Sequence, residues 1–430
     1  MNSCVFWDST SVIPIFVTMK YYRNIRSLIT PKGITAQKGS AMSNVTTVKN
    51  AAIVTDDNGK VIYVGEEQSD KKPYEAAEVI DCKALLALPG FVDSHTHAVF
   101  AGERSNEFCM RAEGKSYQEI AAMGGGIRAS VEQTRSASLK EIAATSEKYL
   151  RSALSLGTTL MEVKSGYGLS LDSEIKLLQA IDLLRSRTPL ELVSTWLGAH
   201  AVPKEKTKAE YIDELIHLQL PAVTKAGLAE FADVFCDEGY FTNDETELIC
   251  KAAEQAGLKI RLHCDELADT NGAALAAKLG SYSADHLLKI NQRGIEALAK
   301  SDRTVATLLP ITAMCIREPY APARKMIEAG CAVAIATDCN PGSSMSENMQ
   351  LAVSLAVIGM GMSPEEALTA STLNGATALG RGATHGSIEV GKYADFVFYD
   401  IPSLAFLPYH IGVSDVIAVV KHATIVSGRL

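Results

Sequence analysis

The sequence has no long hydrophobic run and no excess of basic residues. Its longest strongly apolar stretches, residues 332–336 and 351–357, are far shorter than the roughly 20 residues that span a bilayer. The formal charge is −9 and the pI is near 5.6, whereas nucleic-acid and anionic-membrane partners usually require a broad basic surface. We therefore expect neither partner. A small anionic substrate remains possible, because one or two local arginines are enough to bind it.

The chain also lacks a CxxC pair and a recognisable signal peptide. Its nine cysteines are an odd number with no paired spacing, which favours reduced thiols over a disulfide framework and predicts a cytoplasmic protein. Residues 1–19 have no basic segment and no convincing small-residue cleavage site. We expect them to be extra or disordered, and Met19 is a candidate start.

What the chain does contain is typical of a folded protein with a large core. The apolar fraction is 47% and the charged fraction 21% over 430 residues, enough for one large domain with a smaller one, or at most three modest domains. Both ends read as β-strands: residues 48–65 alternate around an Asp-Asp-Asn-Gly turn, and similar patterns return at 394–399 and 416–425.

The middle of the chain alternates short apolar runs with amphipathic helical stretches, which predicts βα units and a parallel sheet. We count eight apolar runs, at 91–94, 158–163, 192–197, 231–235, 259–262, 282–284, 304–309 and 332–336. Helical patterns follow at 173–187, 209–226, 243–256, 292–299 and 319–329. Eight strands close a barrel, so the predicted fold is α/β, a (β/α)8 TIM-like barrel.

The domain boundaries follow from these patterns. We expect residues 1–88 to form the N-terminal part of a small β-sandwich domain, 89–385 the barrel, and 386–430 the C-terminal part of the small domain. The first connection, from 98 to about 157, is much longer than a normal βα unit and has a Gly124-Gly125-Gly126 break between two helical stretches. Such an insertion predicts a cap over the site.

Histidines and acids cluster where the predicted strands end. The carboxyl ends of all barrel strands face one mouth, where barrel active sites are built, so these side chains should converge there. The strand-end residues are His95, His97, His200, His263, His286 and Asp338.

His95 and His97 are two apart on an extended segment, so they point the same way, about 6.6 Å apart along the strand. Such a pair alone is weak evidence for a metal. Together with His263 and Asp338 it forms a usual ligand set for Zn²⁺ or Fe²⁺. The fourth strand offers no lysine that could be carboxylated to bridge two ions, and Lys164 ends the second, so we expect one divalent metal ion.

His286 and Glu266 then need roles. His286 is either a fifth ligand of a two-metal site or a non-ligand acid or electrophile, and a single metal favours the second role. Glu266 lies three residues after His263. A carboxylate beside the metal there is placed to act as general base, taking the proton of an activated water and returning it to a leaving nitrogen.

The sequence motifs around these positions resemble those of the imidazolonepropionase family of the amidohydrolase superfamily. The motifs LPGFVDSHTHAVFAGER, EVKSGYGL, GAHAVP, HCDE, DHL, TLLP and ATDCNPGSS occur in this order across nearly the whole chain. PGFVDSHTH and the late Asp indicate only the superfamily, whereas VFAGER, KSGYG and DCNPGSS are more specific. Residues 311–315 lack the aromatic side chains expected from the resemblance, and residues 1–19 match nothing in it.

The resemblance implies a metal-dependent hydrolase that opens the ring of 4-imidazolone-5-propanoate in histidine degradation. The implied metal ligands are His95, His97, His263 and Asp338, and the implied catalytic residues are Glu266, His286 and Asp338. Implied substrate contacts are Arg104, Tyr117, Tyr167, His200, Glu266, Asn340, Gly342 and Ser343. The propionate would bind Arg104 with Tyr117 or Ser343, while Tyr167, His200 and Asn340 would hydrogen-bond the ring.

Two rival functions remain open at this point. One is another cyclic-amide hydrolase or an aminohydrolase of the same superfamily, since only the pocket differs; the other is a barrel that has lost its chemistry and serves as a scaffold. The complete ligand and base set argues against the scaffold. We also expect a homodimer, as barrels of this type often pair.

Overall fold

The computed structural model describes residues 19–68, 77–115, 119, 123 and 125–430. The strands are β1 (Lys20–Pro31), β2 (Val45–Thr55), β3 (Val61–Glu66), β4 (Glu78–Asp81), β5 (Leu86–Pro89), β6 (Phe91–Asp93), β7 (Thr158–Lys164), β8 (Glu191–Ala199), β9 (Phe231–Cys236), β10 (Lys259–Cys264), β11 (Ser283–His286), β12 (Val305–Leu308), β13 (Val333–Ile335), β14 (Phe396–Tyr399), β15 (Val416–Lys421) and β16 (Thr424–Gly428).

The α-helices are Ser105–Ala112, Ile127–Ser136, Leu139–Ser155, Leu171–Arg185, Lys208–Glu214, Leu220–Ala226, Asn243–Gln255, Gly272–Leu279, Gln292–Lys300, Pro310–Ile316, Ala323–Glu328, Met349–Met360, Pro364–Thr369, Gly375–Ala378 and Phe406–Tyr409. Leu215–Gln219 and Ala370–Asn374 are π-helical turns, and Gly39–Ser43 is a 3-10 turn.

Strands β6 to β13 form the predicted barrel. They are parallel and lie side by side in sequence order. Just beyond β6 and β13 the two edges meet: Asp338 N donates to His95 O (3.0 Å), and His97 N donates to Cys339 O (2.9 Å). These bonds bring the first and last strand ends together. The (β/α)8 prediction is confirmed, and each predicted apolar run coincides with a strand.

Helix starts follow local capping chemistry. Ser138, Thr207, Thr242 and Ser363 each begin a helix by accepting the backbone N–H of a glutamate three residues on, whose carboxylate accepts the cap's own N–H. The predicted start of one helix was wrong: the helix expected from residue 319 begins at Ala323. Pro319 and Pro322 explain this, because the residue before a proline is disfavoured in the α region.

The second sheet joins both ends of the chain. β1 pairs with β2 in antiparallel and with β4 and β5 in parallel orientation, and β14 pairs with β5, so that Phe396 lies opposite Pro89. Its core is apolar and includes Tyr22, Phe396 and Phe398, all fully buried. This mixed sheet fits the predicted small β-sandwich domain. The exact domain boundaries at 88 and 385 stay predictions.

The segment 416–425, expected as one β-like stretch, is a hairpin of β15 and β16. It turns at His422 and Ala423, which have φ of 46° and 60°. Positive φ at both turn residues is the geometry of a type I′ turn, which matches strand twist. The sequence hid this turn because neither residue is Gly or Asn.

None of the eight cysteines in the described ranges forms a disulfide. No helix of the described part of the chain is long and apolar enough to cross a membrane.

Candidate active site

The four predicted ligands converge at the barrel mouth. His97 Nε2 lies 3.3 Å from His263 Nε2, and Asp338 Oδ1 lies 3.5 Å from the Nε2 atoms of both His95 and His97. All four side chains are buried. Residues more than 240 positions apart are therefore brought together by the closure of the barrel.

These distances fit a metal ion. Ligand atoms about 2.1 Å from a tetrahedral ion lie about 3.4 Å from one another, which agrees with the three separations above. His95 Nε2 and Asp338 Oδ1 are buried without a hydrogen-bond partner among the described residues. Buried polar atoms are rarely left unsatisfied, and a cation at their common centre would satisfy both. The site is a His/Asp metal-binding cluster.

The backbone at the strand ends adopts conformations that few residues favour. Asp265, His286 and Asp338 have φ of 51°, 77° and 53°. Non-glycine residues with such angles cost free energy and concentrate at functional sites. In this barrel they lie where β10, β11 and β13 leave the sheet.

Glu266 and His286 face each other beside the cluster. Glu266 Oε2 lies 3.5 Å from His286 Nδ1, and the side chains are 13% and 4% exposed. The ring of His286 is 5.1 Å from that of His263 and 5.4 Å from that of His95. The His286 ring also groups with His95 and His263 as a possible ligand triad, so geometry alone leaves its ligand role open.

Asp237 holds the loop that carries Glu266, a role that the sequence did not reveal. Its Oδ2 accepts from the backbone N–H of Glu266 (2.7 Å) and Leu267 (3.0 Å), and its Oδ1 accepts from Ala268 N (3.1 Å). Asp237 follows β9, so the strand-end rule that found the histidines would have selected it as well.

Burial controls the protonation of these groups. Burial raises the pKa of Asp338 to about 7, although a hydrogen bond from Thr312 Oγ1 to Asp338 Oδ2 (2.7 Å) works against it. Burial, with the nearby Asp338 and Asp237 carboxylates, raises the pKa of Glu266 well above its usual value. A bound cation would favour the ionised forms. A carboxyl with a raised pKa beside the centre can hold and release a proton near neutral pH.

Three histidines of the site are kept neutral. Burial lowers the pKa of His95, His97 and His286 well below the usual value, with further contributions from neighbouring positive groups. Neutral imidazole is the form that binds metal.

The cluster opens into a cavity of about 550 Å³. This lies within the usual range for small-molecule sites. Besides the cluster, its walls carry five basic side chains, an unusual concentration in a chain with a net charge of −9. They are Arg104, Arg111, Lys115, Lys289 and Arg317.

Arg104 is fixed at this wall. Its Nη2 donates to Glu107 Oε2 (2.6 Å), and its side chain is 7% exposed. A Cβ at position 342 would collide with its guanidinium, so a larger residue there would displace the Arg104 side chain. About two turns further along the helix that follows Arg104, Arg111 Nη2 donates to Gly342 O (2.8 Å).

Asn340 shapes the loop after β13. Its Oδ1 accepts from the N–H groups of Gly342 and Ser343 (both 2.7 Å), and its Nδ2 donates to Asp338 O (2.7 Å). The loop thus presents Gly342 and Ser343 to the cavity. That Asn340 also contacts substrate stays a prediction.

Tyr167 and His200 also line the cavity. The His200 ring stacks on the His97 ring, with 5.1 Å between the ring centres. The centre of the Tyr167 ring lies 5.4 Å from that of His200. Burial lowers the pKa of His200 to about 3, so the ring is neutral. Nδ1 then carries the proton that it donates to Gly166 O (3.0 Å), which leaves Nε2 as an acceptor.

The wall near 311–315 is a helix, Pro310–Ile316, and not a loop of aromatic residues. Cys315 and Ile316 of this helix line the cavity, and its Thr312 hydroxyl donates a hydrogen bond to Asp338. The aromatic side chains that line the cavity are Tyr167, Phe235 and Tyr240. Tyr117, predicted at this pocket, lies outside the described residues.

Comparison with known proteins agrees with this geometry. Residues 86–430 match the model of the amidohydrolase family. The chain is 44% identical to an imidazolonepropionase of Syntrophobacter fumaroxidans, covering 95% of this chain and 97% of that protein. It is 45% identical to one of Porphyromonas gingivalis, covering 95% and 96%, and 44% identical to one of Clostridium tetani, covering 94% and 97%.

Solved structures confirm the fold at lower identity. Guanine deaminase of E. coli superposes with a TM-score of 0.71 at 16% identity, covering 96% of this chain and 100% of that one. An adenosine deaminase of Xanthomonas campestris with bound zinc has a TM-score of 0.71 at 17% identity, covering 95% and 93%.

Proposed function

Because the chain belongs to the imidazolonepropionase family of amidohydrolases, we propose that it hydrolyses 4-imidazolone-5-propanoate to N-formimidoyl-L-glutamate in histidine degradation. The observation that carries the proposal is the combination of a His/Asp cluster with tetrahedral spacing and a buried arginine in the same cavity. The cluster supports hydrolysis, and the arginine supports an anionic substrate.

His95, His97, His263 and Asp338 hold one divalent ion, Zn²⁺ or Fe²⁺, since both ions accept these ligands. Lys164 is buried between Glu162 and Asp233, 2.7 and 2.8 Å from their carboxylate oxygens, so it is committed to ion pairs. This supports one ion over a lysine-bridged pair. When bound, the ion supplies Lewis-acid activation of water and of the substrate carbonyl.

The chain's own residues then move the protons. Glu266, with Asp338, takes a proton from the attacking water, whose oxygen bonds to the ring carbonyl carbon. His286 donates a hydrogen bond to the oxyanion that develops on the carbonyl oxygen. The bond between that carbon and the adjacent ring nitrogen breaks, and Glu266 returns the proton to this nitrogen. This leaves the formimidoyl group and a carboxylic acid, which releases the second proton of the water to solvent as it becomes a carboxylate.

Substrate contacts divide into two groups. Arg104, with Tyr117 or Ser343, binds the propionate, and the basic side chains of the cavity wall raise the local concentration of anions. Tyr167, His200 and Asn340 bind the planar ring. Gly342 allows the close approach of Arg104. We further propose a cytoplasmic homodimer without a nucleic-acid partner.

The test is to follow the loss of imidazolone propionate by its ultraviolet absorbance in the presence of metal-loaded protein. Glu266→Gln should keep its metal and lose about 100-fold or more in kcat, because a general base contributes about 10²–10⁴. Glu254→Gln, on the exposed side of the Asn243–Gln255 helix, is the matched control and should keep full activity.

No ring opening by the metal-loaded wild type would reject the function. Normal turnover by Glu266→Gln would reject only the role of that residue. An ammonia assay separates the rival aminohydrolase, because ring opening releases no ammonia whereas deamination does.

A further inference from the structure

Five charged side chains lie buried inside the barrel, behind the metal cluster. Lys164 Nζ is 2.7 Å from Glu162 Oε1 and 2.8 Å from Asp233 Oδ2, and Arg261 Nη2 is 3.1 Å from Asp285 Oδ2. Arg261 Nε lies 4.0 Å from the same Glu162 oxygen that binds Lys164. These contacts link the five side chains into one continuous chain of charges, and all five are fully buried.

Both acidic ends of this chain reach a ligand histidine. Asp285 Oδ2 lies 2.7 Å from His95 Nδ1, and Asp233 Oδ2 lies 3.0 Å from His263 Nδ1. The Nε2 atoms of the same two rings point to the metal cluster. The Asp285 carboxylate can only accept, so His95 Nδ1 carries the proton and leaves Nε2 free to bind a cation. The His263 Nδ1–Asp233 Oδ2 contact lacks hydrogen-bond geometry, so it orients the ring without fixing its proton.

Stability does not account for this arrangement. Buried ion pairs carry a large desolvation cost, and apolar replacements are often as stable or more stable. The contacts of its two acidic ends with His95 and His263 indicate a role at the metal cluster instead.

Arg261 is held in a way that suits such a role. Its Nη2 also donates to Ser94 O (2.6 Å), beside the first ligand, and its Nη1 donates to Ala378 O (3.2 Å). The guanidinium is thus fixed by backbone on two sides and presents a defined edge to Asp285.

We propose that Asp285, held by Arg261, and Asp233, held by Lys164, are positioning residues for the metal centre. Asp285 keeps the His95 proton on Nδ1 so that Nε2 points to the ion, and Asp233 orients the ring of His263. The inference rests on the proposed function, because it assumes that the cluster binds a metal.

The experiment measures metal affinity and not turnover. Metal-free wild type, Asp285→Asn and Asp233→Asn are titrated with Zn²⁺ against a chromophoric chelator, and Co²⁺ spectra report the coordination geometry. Loss of partners behind metal ligands typically weakens affinity 10–100-fold. We expect a loss in this range and altered Co²⁺ bands for both variants.

The matched control is Glu366→Gln. Glu366 is also buried and accepts from Arg324 Nη1 and Nη2 (both 2.9 Å), but it lies outside the cavity and outside the metal cluster. The control variant should have a lower melting temperature and a Zn²⁺ affinity within about twofold of wild type. If Asp285 had a merely structural role, Asp285→Asn would give the same result. If the Asn variants do not fold, Arg261→Lys keeps the charge while losing the two-sided fixation, and it should weaken Zn²⁺ binding at least threefold.

A folded variant with wild-type affinity and Co²⁺ spectrum would overturn the inference alone. A wild-type chain that binds no Zn²⁺ would overturn the proposed function itself, and the inference with it.

Discussion

Asp237→Asn tests how strictly the Glu266 loop must be held. The carboxylate of Asp237 accepts four backbone N–H groups, two on each oxygen: Glu266 and Leu267 on Oδ2, Ala268 and Glu238 on Oδ1. An asparagine has one acceptor oxygen, so its NH2 group would face two of these donors. Hydrogen bonds to a charged group contribute about 1.5–3 kcal/mol each, so two lost bonds cost about 3–6 kcal/mol before the loop relaxes.

The loop can avoid most of this cost by moving, and Glu266 moves with it. A displacement of about 1 Å at a catalytic group costs about 100-fold in rate. We therefore expect kcat to fall about 100-fold at unchanged metal content, measured by steady-state kinetics and metal analysis. Asp56→Asn is the control, because Asp56 Oδ1 accepts Asn58 N and Lys60 N in the remote turn between β2 and β3. A folded Asp237→Asn protein with kcat within threefold of wild type would refute the reasoning.

Two further predictions concern charge. Arg104→Gln should raise KM about 10–100-fold, as expected for loss of a charged hydrogen bond to the propionate, with a smaller effect on kcat; an unchanged KM in steady-state kinetics would place the carboxylate elsewhere. Burial opposes ionisation of Glu191, but the His385 hydrogen bond and the Lys421 ammonium outweigh it and lower the pKa of Glu191. Its ionised form therefore stabilises the fold above pH about 4.5, and this is lost as pH falls below that value. Glu191→Gln should flatten the acid side of a urea-denaturation profile measured from pH 3 to 7, and an unchanged slope would contradict the assignment.

Much of the barrel and its rim could be predicted because the signals are local. An apolar run marks a strand, and a polar residue at its end marks the mouth, which found the histidines and Asp338. The supports behind them escaped the same reasoning. Asp285 precedes His286 and reads as part of a strand, and only the barrel's closure shows that it contacts His95, 190 positions away.

The inward-facing charges were hidden for a related reason. Glu162 and Lys164 alternate along β7, as any strand residues with one polar face would, and Arg261 is two residues before His263. Sequence spacing shows that such pairs share a face, but not which neighbouring strand supplies their partners. The turn at His422 was missed because neither of its residues is Gly or Asn, whereas the helix start at Ala323 could have been predicted from Pro319 and Pro322.

The central claim is that one cation binds among His95, His97, His263 and Asp338. Anomalous diffraction from crystals of the metal-loaded protein, collected on both sides of the metal's absorption edge, tests it directly. We predict a single peak about 2.0–2.2 Å from the three Nε2 atoms and from Asp338 Oδ1. A peak bound by His286 in place of one of these residues, or two peaks in the cavity, would contradict the account.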